Sequence, residues 1–306
     1  MPIKIPDMLP AFETLENENI FVMSENRANT QDIRPLKIAI LNLMPTKIVT
    51  ETQLLRLLSN TPLQVEITFL VTKSYTPTHT SQEHLESFYR NFDDVKNDYF
   101  DGLIVTGAPV ENKDFEDVQY WEEICKIFEW ADKKIYPCFY SCWASMAALY
   151  YYYGIQKYEL SEKLSGVFRH KVKMPSHPLV RGFDQYFNAP HSRHYSVHTK
   201  DIEQCDDIDI LASSEKTGVY IAASHDMRKI FVTGHSEYDA DTLKNEYFRD
   251  LERGMNPHVP ENYFPYDDPQ REPVNVWKSH AHLLYSNWLN YFVYQTTPYD
   301  ISKIHK

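Results

Sequence analysis

Between residues 37 and 154 the chain alternates apolar runs with helix-patterned stretches, and this alternation restricts its fold more than any other feature. Lys37-Ile38-Ala39-Ile40-Leu41-Asn42-Leu43 reads as a strand buried on both faces. Met44-Pro45-Thr46-Lys47 follows, then a helix carrying Thr52, Leu54, Leu55, Leu57 and Leu58. Gln64 to Leu70 is the next strand, and a polar helix is expected from about Ser81 to Phe92. Gly102 to Val105 is a strand closing on the turn Thr106-Gly107-Ala108-Pro109. Glu122 to Ala131 is helical, Ile135 to Tyr140 is a strand, and Cys142 to Tyr153 is a helix ended by Gly154. Such repetition predicts the α/β class: a doubly wound, mostly parallel sheet flanked by helices.

The remainder has another character. Residues 1 to about 34 are polar, with Asn17, Asn19, Asn26, Asn29 and Asp32, and read as an irregular N-terminal arm lying on a single domain of residues 35–306. Gly218 to Ala222 and Lys229 to Thr233 are expected to be antiparallel strands joined across His225-Asp226. Asp241 is placed to cap a helix reaching Arg253, with Gly254 just beyond. Five prolines make residues 255–275 a loop, and Trp277 to Tyr294 reads as one long aromatic helix.

Composition excludes several functions. A formal net charge of −12 disfavours nucleic acid and anionic membranes as partners. The four cysteines, Cys125, Cys138, Cys142 and Cys205, show no CxxC spacing, so no metal site is expected. No window approaches a membrane span, and the first residues lack a signal-peptide core. A cytoplasmic protein is the expectation.

Two segments carry chemistry. Cys142 follows an apolar strand and opens a small-residue helix, where sheets of this class place ligands. The helix start lowers a thiol pKa and offers free amides to a developing oxyanion. The alternative is a buried structural thiol. Far downstream, His235 and Glu237 lie two apart at a strand end, so the Glu can orient the ring. That pair alone is equally a solvated strand end. Together the three residues have the layout of covalent nucleophilic catalysis.

The arrangement resembles the class I glutamine amidotransferase-like fold, which is flavodoxin-like. Asn42-Leu43-Met44-Pro45-Thr46-Lys47, Thr106 to Glu111, Cys142-Trp143, Pro190-His191-Ser192-Arg193-His194, Gly234 to Asp239, Asn262 to Pro265 and Ser279 to Tyr291 narrow this further. In that order they are similar to the homoserine O-acyltransferases of methionine biosynthesis. The resemblance implies ping-pong chemistry: Cys142 takes an acyl group from acyl-CoA, and His235, oriented by Glu237, activates the hydroxyl of L-homoserine. It implies oxyanion support from Lys47 and the Trp143 amide, and substrate contacts at Lys163, Ser192 and Arg249. It implies Glu111 as the residue choosing the acyl group. A carboxylate there repels and displaces a succinyl carboxylate, so acetyl-CoA is the expected co-substrate, with no permanently bound cofactor. A homodimer is also implied.

Alternatives remain open: L-serine as acceptor, succinyl-CoA as donor, a cysteine hydrolase or amidotransferase-like enzyme, or a non-catalytic binding module. The run Arg169, His170, Lys171 and Lys173 could meet CoA phosphates or be a solvated face. The family's usual Cys-Trp-Gly-Ala-Gln-Ala reads here Cys142-Trp143-Ala144-Ser145-Met146-Ala147.

Overall fold

The computed structural model describes residues 3–6, 8–18, 22–23, 34–75 and 80–303. In chain order the strands and helices are β1 (Ile3–Lys4), α1 (Pro10–Asn17), β2 (Val22–Met23), β3 (Leu36–Leu41), α2 (Lys47–Leu58) and β4 (Val65–Val71). Next come α3 (Gln82–Phe88), β5 (Tyr89–Asn91), α4 (Phe92–Val95), β6 (Gly102–Val105), α5 (Trp121–Lys134), β7 (Cys138–Ser141) and α6 (Trp143–Tyr153). The second half holds β8 (Lys157–Val172), β9 (Tyr186–Val197), α7 (Thr199–Glu203), β10 (Ile208–Ser214), β11 (Gly218–Ser224), β12 (Lys229–Val232), α8 (Thr242–Glu252) and α9 (Lys278–Asn287).

Among the described residues twelve strands form one sheet, in the order β2-β1-β4-β3-β6-β7-β12-β11-β10-β8-β9, with β5 beside β4. The segment β4-β3-β6-β7-β12 is parallel throughout. It is the doubly wound order, whose winding reverses between β3 and β6. Strand alternation feeds two cores. Ile38, Ile40, Ile104, Phe139 and Ile230 face one layer, shared with α2 and α9. Ala39, Leu41, Leu103, Val105, Tyr140 and Phe231 face the other, shared with α5 and α6.

The predicted parallel half and the β11–β12 hairpin are present, and Gly154 ends α6 at φ 69°. Other expectations need correction. The helix expected to Phe92 stops at Phe88, because Tyr89–Asn91 pairs with the edge of β4. The final helix is α-helical only to Asn287 and continues in π-helical form over Trp288–Tyr294. Asp241 holds the N-cap position of α8, but its carboxylate accepts from Asn245 Nδ2 rather than from a backbone amide.

The N-terminal segment is not wholly irregular. Lys4 pairs in parallel with Glu66 of β4, and Ile5, Leu9, Ala11 and Leu15 are buried in the α2-side core. Asn19, Asn26, Asn29 and Asp32 lie outside the described residues. The strands β8, β9 and β10 went unread because one face of each is polar. On β8, Arg169 and Lys171 are exposed while His170 is fully buried, so the basic run does not form one face.

Candidate active site

Cys142 occupies the one residue between β7 and α6, at φ 51° and ψ −115°. A non-glycine residue there costs about 1–3 kcal/mol and persists only when its surroundings enforce it. Here they do. Cys142 N donates to Val232 O of β12 at 2.7 Å, and its carbonyl accepts from Ser145 N at 3.0 Å and Ser145 Oγ at 2.7 Å. The thiol therefore stands at the carboxyl edge of the sheet, over the first turn of α6. The opening amides of a helix, here including that of Trp143, lack intrahelical partners and carry the positive end of its dipole. The Trp143 indole is buried against Phe115 and Tyr120. Ser145 takes part in the turn itself, and Met146 is buried in the α6-side core.

His235 follows β12 and is fixed by its amide, which donates to Pro190 O of β9 at 2.9 Å. Its Nδ1 lies 2.7 Å from Glu237 Oε1, leaving Nε2 for another partner, and the ring stacks on Tyr238 with centroids 4.2 Å apart. Burial alone would favour the neutral ring. Cys142 and Glu237 outweigh it and raise the His235 pKa well above its ordinary value. Gly107, in the turn after β6, closes this space. A Cβ there would lie 3.2 Å from Cys142 Cβ, 3.7 Å from its Sγ and 3.5 Å from His235 Cε1. Thiol and ring thus border one small gap that only glycine leaves open.

The other expected residues fall into two groups. Lys47 opens α2, and its buried Nζ donates to Asn42 O at 2.5 Å and Met44 O at 3.4 Å. Burial lowers its pKa to about 8, against the opposing pull of Glu51. Lys47 lines a crevice of ≈ 40 Å³ with Leu43, Pro109, Val110 and Tyr120, at the carboxyl ends of β3 and β6. Glu111, in the same turn as Gly107, reaches β9, where its Oε1 accepts from His194 N at 3.0 Å. Lys163, Ser192 and Arg249 converge elsewhere, on two carboxylates of α8. Ser192 Oγ donates to Glu246 Oε2 at 2.5 Å, Lys163 Nζ to Asp250 Oδ2 at 3.1 Å, and Arg249 Nη2 to Asp250 Oδ1 at 2.7 Å. Lys163 reaches them from an irregularity in β8, between Glu159 and Leu164. A cavity of ≈ 730 Å³ lies against Ser236 and Glu237 beside Arg56 and Trp277, and Cys142 does not line it.

A model of the homoserine O-succinyltransferase family matches residues 2–299. The chain belongs to that family. A homoserine O-acetyltransferase of Acetivibrio thermocellus is 59% identical over 99% of this chain and 100% of its own length. One of Petrotoga mobilis is 55% identical over 99% of this chain and 98% of its own. A glutamine amidotransferase from Thermotoga maritima superposes with a TM-score of 0.53 over 84% of this chain and 98% of that one, at 12% identity, a likeness of fold alone.

Several residues of this family member escaped the sequence reading. Glu246 and Asp250 stand four apart on α8 with Arg249 between them, a helical spacing that could have flagged them. Arg193 lay inside a quoted motif. It is buried, and its guanidinium donates to Thr233 O at 2.8 Å and Thr217 O at 2.7 Å and lies 2.7 Å from His191 Nδ1. It ties β9 to the carboxyl end of β12, two residues before His235. No local pattern announces such a tie.

Proposed function

We propose that this chain is a homoserine O-acetyltransferase that works by double displacement through Cys142. Its sulfur attacks the thioester carbon of acetyl-CoA, the C–S bond to CoA breaks, and CoA leaves as its thiol with a proton from His235. The acetyl group remains on Cys142. His235 then takes the γ-hydroxyl proton of L-homoserine as that oxygen attacks the acetyl carbon. The C–S bond to Cys142 breaks, giving O-acetyl-L-homoserine and the free thiolate beside a protonated ring. Glu237 holds Nδ1 and offsets the charge of the ring in both halves. The amide of Trp143 and the segment at Lys47 take the developing oxyanion.

The observation that carries the reading is the strained Cys142 at the head of α6, sharing one gap with a His235 already held by Glu237. The names of the relatives supply the acceptor and the acyl group. Glu111 supports acetyl over succinyl because its carboxylate closes the space between the β6 turn and β9 with a like charge. Lys163, Ser192 and Arg249 form the acceptor site. By the same family resemblance the protein is read as cytoplasmic and homodimeric, with acetyl-CoA as co-substrate and no permanently bound cofactor.

The test is peptide-resolved mass spectrometry after acid quench, with acetyl-CoA or succinyl-CoA and no acceptor. Acetyl label on Cys142, little succinyl label and stoichiometric CoA release are expected. Cys142→Ala should lose turnover by at least about a thousandfold. Neither label nor CoA release from the native protein would sink the proposal.

A further inference from the structure

The turn Val110-Glu111-Asn112-Lys113-Asp114 has no apolar side chain after Val110, and Asn112, Lys113 and Asp114 are exposed. Burial therefore does not hold this segment in place. Hydrogen bonds do. Lys113 N donates to Val110 O at 3.2 Å and closes the turn. Lys157, the first residue of β8, reaches across to it: its Nζ donates to Glu111 O, and to Lys113 O at 2.6 Å. From β9, the partner of β8, the His194 amide donates to Glu111 Oε1 at 3.0 Å. One strand of the hairpin thus grips the backbone of the turn, and the other grips its carboxylate.

Lys157 is itself held. Its ammonium lies over the Tyr195 ring, 4.2 Å from the centroid, and over the Phe115 ring at 5.2 Å. Phe115 stacks in turn on Tyr150 with centroids 4.8 Å apart, and its centroid lies 6.0 Å from that of Trp143, the residue after Cys142. An ammonium has three donors. Lys157 gives two of them to neutral carbonyls of the turn, although Asp114, Glu111 and Glu159 all attract its charge. At its other end the same loop is confined by Gly107, which borders Cys142 and His235. A segment confined at Gly107 and clamped at Glu111 and Lys113 cannot carry the Glu111 side chain aside without breaking the bonds to Lys157.

We propose that Lys157 is a positioning residue for donor selection: by holding the Glu111 and Lys113 carbonyls it keeps the Glu111 carboxylate in the space that a longer, carboxylate-ended acyl group would enter. Lys157 acts through Glu111 and not on the donor. The inference deepens the reading of Glu111 as the residue that chooses the acyl group, and rests on it.

The full-length protein is mixed with equimolar acetyl-CoA and succinyl-CoA without acceptor and quenched in acid, and the two labels on Cys142 are counted. Lys157→Met keeps the apolar stem and removes the donors. It should raise the succinyl-to-acetyl ratio by about three- to tenfold. In a Glu111→Gly background the same substitution should change the ratio by less than about twofold, because the group it positions is gone. Tyr195→Leu removes one ring beside the ammonium, keeps the lysine, and should move the ratio the same way by about twofold. Amide hydrogen exchange at residues 110–113 should be at least about fivefold faster in Lys157→Met, with α6 unchanged. A merely structural role slows both donors alike and leaves the ratio still. An unchanged or lowered ratio in Lys157→Met, or a full effect in the Glu111→Gly background, would overturn the assignment. If Lys157→Met does not fold, an unmoved ratio in Tyr195→Leu overturns it. No label on native Cys142 from either donor would sink the acyl-transfer reading and this assignment with it. Native labelling with an unmoved ratio in the variants would sink the assignment alone.

Discussion

Cys142 and Lys47 each hold a costly position, and Glu111 bridges two elements. Cys142 bears a positive φ that its neighbours enforce through hydrogen bonds to its own backbone. Glu111 spans to β9 through the His194 amide. Glu111→Gly removes both bulk and charge there, and should shift the ratio of succinyl to acetyl transfer upward by at least about tenfold, read by competing the two donors. Lys47 is buried with its pKa lowered to about 8. A lysine lowered on folding leaves the native state with fewer protons than the unfolded chain between about 8 and its ordinary value of 10.5. Stability carried by this group therefore rises with pH across that window and is flat below it. The difference in unfolding free energy between the native protein and Lys47→Met should grow by up to about 3 kcal/mol from pH 7.5 to pH 10.5, measured by urea titration.

At the level of elements, His235 is positioned by a strand contact. The carboxyl end of β12 lies so close to β9 that a Cβ on Gly234 would stand 2.7 Å from Pro190 O and 2.9 Å from His191 Cε1. Pro190 O is also the acceptor that fixes the His235 amide. Gly234→Ala should therefore destabilise the protein by about 1–3 kcal/mol and lower kcat by moving His235 from Cys142. Urea midpoints and steady-state kinetics at saturating substrate separate the two effects. Loss of stability with full kcat would show that β9 yields without disturbing His235. Cys142 and His235 thus depend on different neighbours of one sheet: Cys142 hangs from β7 and β12, His235 from β12 and β9.

Over the whole molecule, the sheet extends past its parallel centre on both sides. At one edge β1 and α1 add Ile5, Leu9 and Leu15 to the α2-side core. Deleting residues 1–33 uncovers that patch, and should cost about 5 kcal/mol at about 1.5–3 kcal/mol for each buried side chain. A fall in the thermal midpoint, with Cys142 still labelled by acetyl-CoA at low temperature, is the expected result. At the other edge the long β8–β9 hairpin brings Lys163 and Ser192 to α8. By itself the sequence determined the parallel half, because strands buried on both faces are apolar throughout and helices between them are not. It also singled out Cys142, which opens a helix directly after an apolar strand, and His235 and Glu237, two apart at a strand end. Only the tertiary structure decided the polar cluster on α8, the hairpin and the tie through Arg193. Their residues are polar, drawn from β8, β9 and α8, and acquire meaning from partners up to 87 residues away. Half-solvated strands and charged helix faces leave no local periodicity that distinguishes a site from a surface.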